Sequence, residues 1–384
     1  MDRRNFLSCF GCGIGATAFP IKAFGKTHNN NKFIFILLRG ALDGLAAFPS
    51  FGDPQLLDLR SDLINKDDYN ILDSGFFGIH NELSYIKELY DRKEAILFHG
   101  ISMDNVTRSH FEDQDYLEFL NSGSDTGWLA RSMRYSNSGA ISVGNSLSKV
   151  LWGSSNSSNW TSKSKDGAPD SYYESALLLS ESDYAIHSAI SDAYDIKIVS
   201  EFSSTEQENN LSSSSIGKSV RGLSNLLLFD GLGQPDTKIT PDIGVLSIGG
   251  WDTHNRQQQR IRTPLKTLDS AIKLLRSDFN SVWDKTTICV CTEFGRTVRS
   301  NGAGGTDHGY GSVSLLFGGN ISGGKTYTDW AGLNNLNENR DLKTTLYLED
   351  LFATISHDVL GVPQSKLNEI FPLRSNLKLY NLFA

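Results

Sequence analysis

The sequence predicts an α/β sandwich built on a mostly parallel central sheet. Three observations carry that prediction. Apolar runs such as Phe33–Leu38 in "NKFIFILLRG" are continuous rather than alternating, which is the pattern of a strand buried on both faces. Strand-like runs alternate with helix-like segments along the chain, as crossover connections require. Charged residues make up 21% and no run of about 18 apolar residues occurs, which fits a globular chain with no transmembrane anchor.

Taken in order, "KFIFILL" is the first buried strand, "LSYIKELYDRK" an amphipathic helix, and "EAILFHG" a second buried strand. "RSHFEDQDYLEFL" reads as a helix with its own start signal, Ser109 capping and Glu112 reaching back three residues later. "DIGVLSIGG" is a strand, "PLKTLDSAIKLLRSDF" a helix, "TTICVCTEFG" a strand, "SVSLLFGG" a strand, and "TTLYLEDLFATISHDVLG" a C-terminal helix. Between about 135 and 220 the chain is rich in Ser and Asn, with little apolar surface to bury. That stretch is expected to be an insertion or cap within one domain spanning 26–384.

The first 25 residues have the pattern of a processing signal. Arg3-Arg4-x-Phe6-Leu7 precedes a short, Gly-rich, weakly apolar stretch that ends in small residues. This is the pattern of a twin-arginine signal, so the twin-arginine export machinery is an expected partner and the periplasm or exterior the expected location. Its removal takes away three basic residues and one acidic residue, leaving 33 against 43. An acidic chain of this kind argues against nucleic acid as a partner, because phosphate binding needs clustered Lys and Arg. Cys289 and Cys291 lie two apart in one predicted strand. Extended backbone holds them too far apart for a disulfide, so they are expected to be buried thiols.

In parallel α/β sheets, ligands bind beyond the carboxyl ends of the strands. Those ends deliver Arg39, Gly40 and Asp43; Asp104, Arg108, Ser109 and His110; Asp252 and His254; Glu293 and Arg296. The glycine-rich loop "NGAGGTDHGYG" adds Asp307 and His308. Three of the eight histidines, His110, His254 and His308, thus fall among carboxylates. Mixed imidazole and carboxylate donors suit Zn²⁺, Mn²⁺ or Fe, with Mg²⁺ at the carboxylate-rich end.

Each residue also has a plainer reading: Asp43 as a helix cap, Asp252 as a turn former, Asp307 and His308 as a loop hydrogen bond. Ser109, at a helix start, is placed either as a cap or as a nucleophile. Arg108 and Arg296 fit either an anion clamp or pairs with nearby carboxylates. "GNISGGKT" matches the phosphate-loop pattern, but the turn-like "YTDWAGLNNLNENRD" follows where a helix is required.

"FILLRGALDGLAAFPSFGDP", "TRSHFEDQDYLE", "GWLAR", "GGWDTHN", "TEFGRTVRSNGAGGTDHGYG" and "GGNISGGKTYTDWAGL" together resemble the DUF1501 family, exported bacterial proteins related to the alkaline phosphatase and sulfatase superfamily. The resemblance implies a three-layer α/β/α core, alkaline-phosphatase-like, with a site for one or two divalent metal ions. It implies Asp43 as a ligand of one metal, Asp252 and His254 as ligands of the other, and Ser109 as the nucleophile. Glu293 stands where the superfamily has Asp-His, with Phe294 in the place of the histidine. His308 corresponds to a late histidine ligand, and Asp307 compensates for the lost one. The implied activity is hydrolysis of a small anionic phosphate or sulfate ester by in-line displacement. The alternative is a metal-binding or assembly protein that keeps the fold without catalysis.

Overall fold

A computed structural model describes residues 31–72, 75–121, 123, 125–136, 138–161, 170–180, 183, 186, 187, 190, 191, 193, 194, 214–228 and 241–384. The twin-arginine segment and the exact cleavage site lie outside these residues. The strands among them are β1 (Lys32–Arg39), β2 (Tyr69–Ile71), β3 (Gly78–His80), β4 (Ala95–Ser102), β5 (Ala140–Val143), β6 (Ser157–Trp160), β7 (Ile243–Gly249), β8 (Thr286–Thr292), β9 (Ser312–Gly318), β10 (Lys325–Tyr327) and β11 (Leu346–Tyr347). The main sheet runs β10-β4-β9-β8-β1-β7-β5-β6, with β11 also paired to β4. Every pairing in it is parallel except those of β9, which is antiparallel to β4 and to β8.

The continuous apolarity of β1 serves both faces of this sheet. Phe33, Phe35 and Leu37 pack with Leu117, Trp128, Met133, Leu351 and Phe352. These partners come from helices His110–Phe119, Trp128–Ser136 and Leu348–Asp358. Ile34, Ile36 and Leu38 pack on the opposite face with Ile86, Leu89, Leu223, Leu265, Leu268 and Ile272. Those belong to helices Ser84–Asp91, Ser215–Leu228 and Arg262–Asp278. The fold is therefore a three-layer α/β/α sandwich around a mostly parallel sheet. Trp128 stacks on Phe352 at 4.7 Å, and both meet Phe35 edge-on at 5.4 Å. Cys289 and Cys291 are free and buried on this same face, and burial pushes the Cys289 thiol up to about 12.

Two expectations change. The Ser/Asn-rich stretch is not all insertion: β5 and β6 extend the main sheet, and helix Ser215–Leu228 covers it. Small polar side chains hid these strands, because Ser142, Ser157 and Ser158 are buried at the sheet margin. The C-terminal segment "TTLYLED" opens with the short strand β11 before its helix. The phosphate-loop look-alike runs into strand β10 and then irregular chain, so the helix such a loop requires is missing there, as its sequence predicts.

His99, in the middle of β4, is fully buried, its Nε2 2.9 Å from the carbonyl of Phe48 and its ring stacked on Phe77. Burial holds its pKa down to about 4. Below pH 6.5 the unfolded chain gains a proton that the folded chain refuses, so stability falls as pH drops from 6.5 towards 4. Over that interval the loss is about 3 kcal/mol. Urea unfolding at pH 7.5 and pH 4.5 is expected to show it in the wild type, and a smaller loss in His99→Gln. Equal acid sensitivity in the two proteins would assign the effect elsewhere.

Candidate metal centre

Parallel register levels the strand ends. Leu38 lies opposite both Ile248 and Thr292, so the residues that follow β1, β7 and β8 leave the sheet side by side. Because β9 runs the other way, the loop before it returns to the same edge and brings Asp307 and His308 there. Two close approaches need glycine. Gly40 has φ +117°, and a Cβ on it would sit 2.8 Å from the backbone N of Asp252. A Cβ on Gly305 would sit 2.3 Å from the backbone of His254.

Beyond Gly250, whose φ is +97°, burial alternates: Trp251 and Thr253 are buried while Asp252 is exposed and His254 half-buried. Asp252 and His254 therefore point the same way, with His254 Nε2 3.0 Å from Asp252 Oδ1. His110 Nε2 and His308 Nε2 each lie 3.5 Å from that same oxygen. The Nε2 atoms of His254 and His308 face each other at 3.0 Å. One carboxylate oxygen and three imidazole nitrogens thus converge. Donors at the vertices of a tetrahedron with Zn–ligand bonds of about 2.0–2.1 Å would be about 3.3 Å apart, close to these separations.

Each imidazole is held by its other nitrogen. His110 Nδ1 is 2.8 Å from Glu293 Oε1, His254 Nδ1 is 3.3 Å from Asp307 Oδ1, and His308 Nδ1 is 2.7 Å from the carbonyl of Arg108. Acceptors at all three Nδ1 atoms favour the Nδ1–H tautomer and leave Nε2 unprotonated with its lone pair free, as in metal-binding histidines. Phe294 packs against His110 and His308, its ring centroid 5.0 Å from each.

Charge is distributed unevenly. The hydrogen bond to Glu293 raises the pKa of His110, whereas burial and the nearby Arg296 cation lower that of His308. Burial would raise the carboxyl of Asp252, but the hydrogen bond and charge of Arg296 hold it at about 2. Burial likewise acts to raise Glu293, and hydrogen bonds from His110 and Gln114 outweigh it. Asp252 is therefore anionic at neutral pH, as a ligand must be.

The fit to a divalent metal rests on these atoms. His110 Nε2 is buried with no hydrogen-bond partner. Two unprotonated Nε2 atoms at 3.0 Å repel unless a proton or a cation lies between them. A set of three nitrogens and one oxygen is Zn-like. His110, Asp252 and His308 have ligand atoms within 4.8 Å of one another, and His254 Nε2 is 3.0 Å from two of those atoms.

Several residues expected at the metal take other places. Asp43 caps helix Gly44–Ala47 through the amide of Ala46, and its two oxygens receive both terminal nitrogens of Arg60 at 2.9 and 2.7 Å. Gln257 adds a further bond at 2.6 Å. With its oxygens occupied, Asp43 is a buried ion-pair partner. Glu293 faces the ring of His110, and Asp307 that of His254, so both orient imidazoles.

Neither expected clamp is free. The guanidinium of Arg296 is fully buried against Asp252 and the carbonyls of Gly40, Ala41, Trp251 and Thr306. Arg108 bonds Glu338 at 2.6 Å and Asp341 at 2.7 Å and lies over the Tyr310 ring. Ser109 is the N-cap residue of helix His110–Phe119 but makes no side-chain cap bond. The capping box with Glu112 does not form: the Ser109 amide it would use donates to Thr107 Oγ1, and Asp113 takes the amides of Thr107 and Arg108. The addition to the expected set is His110. The strand-end reading sets it among carboxylates with His254 and His308, whereas the resemblance assigns it no role.

Residues 159–370 match the family DUF1501, described as a protein of unknown function. The chain belongs to the DUF1501 family. The matched span of this DUF1501 chain carries Asp252, His254, Glu293, Arg296, Asp307 and His308, while Ser109 and His110 precede it. No curated protein matches the DUF1501 chain.

Solved structures similar to it include the C-terminal periplasmic domain of EcEptC from Escherichia coli in complex with Zn. That pair is 9% identical and covers 78% of this chain and 77% of the other at a TM-score of 0.42. A protein in the alkaline phosphatase superfamily from Vibrio parahaemolyticus is 13% identical, covering 94% and 76% at 0.36. Ps i-CgsB in complex with k-i-k-neocarrahexaose is 11% identical, covering 93% and 75% at 0.37.

Proposed function

We propose that this DUF1501 protein is an exported hydrolase of small phosphate or sulfate esters that works with a divalent metal held by His110, Asp252, His254 and His308. The observation that supports it best is the convergence of three Nδ1-anchored imidazoles on one oxygen of Asp252. A divalent metal bound there supplies Lewis-acid polarisation of an ester oxygen. Glu293, Asp307 and the Arg108 carbonyl hold the imidazoles in register for it, and Arg296 keeps Asp252 ionised.

Ser109, beside His110 and without a capping bond, is the proposed nucleophile. Its Oγ forms a bond to phosphorus or sulfur as the bond to the ester's alkoxide breaks. The serine proton passes through solvent to that alkoxide. Water then displaces the serine and releases phosphate or sulfate. Export follows the twin-arginine route expected from Arg3-Arg4. No helix among the described residues is long and apolar enough to cross a membrane.

Protein purified without chelator is expected to hold about one Zn or Mn per chain, and Asp252→Ala to hold none. Ser109→Ala should keep its metal and lose aryl phosphate or sulfate ester hydrolysis by about 10³-fold or more. Failure of the wild type to take up Zn²⁺ or Mn²⁺ overturns the reading. A second reading, a metal-binding protein without catalysis, is favoured by one observation: Arg108 and Arg296 are both committed to carboxylates. On that reading metal raises Tm, no ester is turned over, and Ser109→Ala is indistinguishable from wild type.

A further inference from the structure

Behind His110 lies a line of side chains that the proposed reaction does not use. Helix His110–Phe119 carries His110, Gln114 and Glu118 four residues apart, on one face. That face lies against the end of β1, where Arg39 reaches across. Arg39 Nη1 donates to Gln114 Oε1 at 2.8 Å, and its Nη2 donates to Glu118 Oε1 at 2.7 Å. Its Nε donates to Ser247 Oγ at 3.2 Å. Gln114 in turn donates from Nε2 to Glu293 Oε1 at 2.9 Å, and that oxygen is the one facing His110 Nδ1.

The direction of this chain is fixed by chemistry. A guanidinium only donates, so the Gln114 atom facing Arg39 must be the carbonyl oxygen. The amide nitrogen then faces Glu293. If the amide turned over, two oxygens would face each other across that contact. Glu293 Oε1 also receives the amide of Gly40 at 2.8 Å, and Oε2 the hydroxyl of Thr292 at 2.9 Å. Glu293 is about 1% exposed, so water does not replace a lost donor cheaply. Ringed by donors, it can only accept from His110, which keeps the proton on Nδ1 and the lone pair of Nε2 directed to the centre.

We infer that Arg39 and Gln114 are positioning residues for the metal centre, acting through Glu293 to set the tautomer and orientation of His110. This rests on the metal reading above. Arg39 acts only by orienting Gln114, so the two contributions share one route and cannot be additive. Glu118 needs a cation whatever Gln114 does, since it is buried and also takes the hydroxyl of Ser148 and the amide of Val150. Arg39→Lys keeps that charge while losing the two-armed span to Gln114.

The test is Co²⁺ affinity of the full chain, measured against a competing chelator, for wild type, Gln114→Met, Arg39→Lys and the double variant. Gln114→Met has the length of glutamine without its amide and is expected to bind 10- to 100-fold more weakly, about the range for loss of an outer partner of a metal-binding histidine. Arg39→Lys should also weaken binding, and the double variant should bind no more weakly than Gln114→Met alone. Gln114→Asn, too short to span Arg39 and Glu293, should repeat the loss and stands in should the methionine variant not fold. Wild-type affinity in Gln114→Met, or losses that multiply in the double variant, overturn the inference while the metal reading stands. If the wild type takes up no Co²⁺, both fall.

Discussion

Arg296→Met is expected to destabilise the protein by about 4 kcal/mol or more and to abolish metal uptake. The methionine is close in length and apolar, so the cavity is small and the loss is polar. Arg296 sits at the junction of the loops that follow β1 and β7 and precede β9. Its Nε donates to the carbonyl of Ala41 at 2.9 Å, Nη1 to Thr306 at 3.1 Å, and Nη2 to Gly40 at 2.7 Å and Trp251 at 3.3 Å, besides Asp252. Each buried carbonyl left without a donor costs about 1–3 kcal/mol. Asp252 loses the cation that keeps its carboxyl at about 2 and stands among imidazoles with nothing to hold its direction. Arg296→Lys restores a charge but not the planar fork, and should recover less than half of the loss. Urea unfolding and metal analysis of the three proteins decide the matter. A residue whose work is to grip substrate would behave otherwise: its methionine variant would fold with nearly wild-type stability and show only a raised KM.

That contrast explains where reading the sequence succeeds and where it stops. The continuous apolar runs of β1, β4, β7 and β8 are legible because a strand covered on both sides has no polar face to alternate. β5 and β6 are not, because four-residue strands at a sheet margin bury serines and look like loop. The convergence of Asp252, His254 and His308 is legible because each follows or precedes a recognisable strand, and strand ends meet at one edge. What each carboxylate does there is not legible. Asp43, Asp252, Glu293 and Asp307 are all acidic residues at that edge, and only Asp252 faces the three Nε2 atoms. The difference lies in which donors occupy the oxygens: Arg60 for Asp43, Gln114, Gly40 and His110 for Glu293, Asn301 and His254 for Asp307. Asn301 apart, those donors come from 17 to 253 positions away in the chain, separations no local pattern encodes. His110 is legible as one of three strand-end histidines but not as a partner of Asp252, since the helix start it shares with Ser109 gives no sign of which way its ring turns.

Asp43→Ala follows from the same distinction and should cost about 3–5 kcal/mol while leaving metal content unchanged. Arg60 is fully buried, so removing its carboxylate strands a guanidinium in the interior with only the carbonyls of Thr297 and Val298 to hold it. Asp43 also accepts from Gln257, whose Oε1 takes the hydroxyls of Thr253 and Thr306. The pair thus supports the loop of Asp252 and His254 from below rather than contributing to the site. Replacing both members, Asp43→Leu with Arg60→Met, removes the stranded charge and should regain most of the stability lost in Asp43→Ala, because a buried pair can be exchanged for apolar packing at little net cost. A metal ligand would give the reverse result. Asp43→Ala would then lose metal, and the double replacement would recover neither metal nor the stability that metal confers. Metal stoichiometry and the urea midpoint of the single and double variants therefore separate a ligand from an ion pair, two roles that the residue type alone leaves identical.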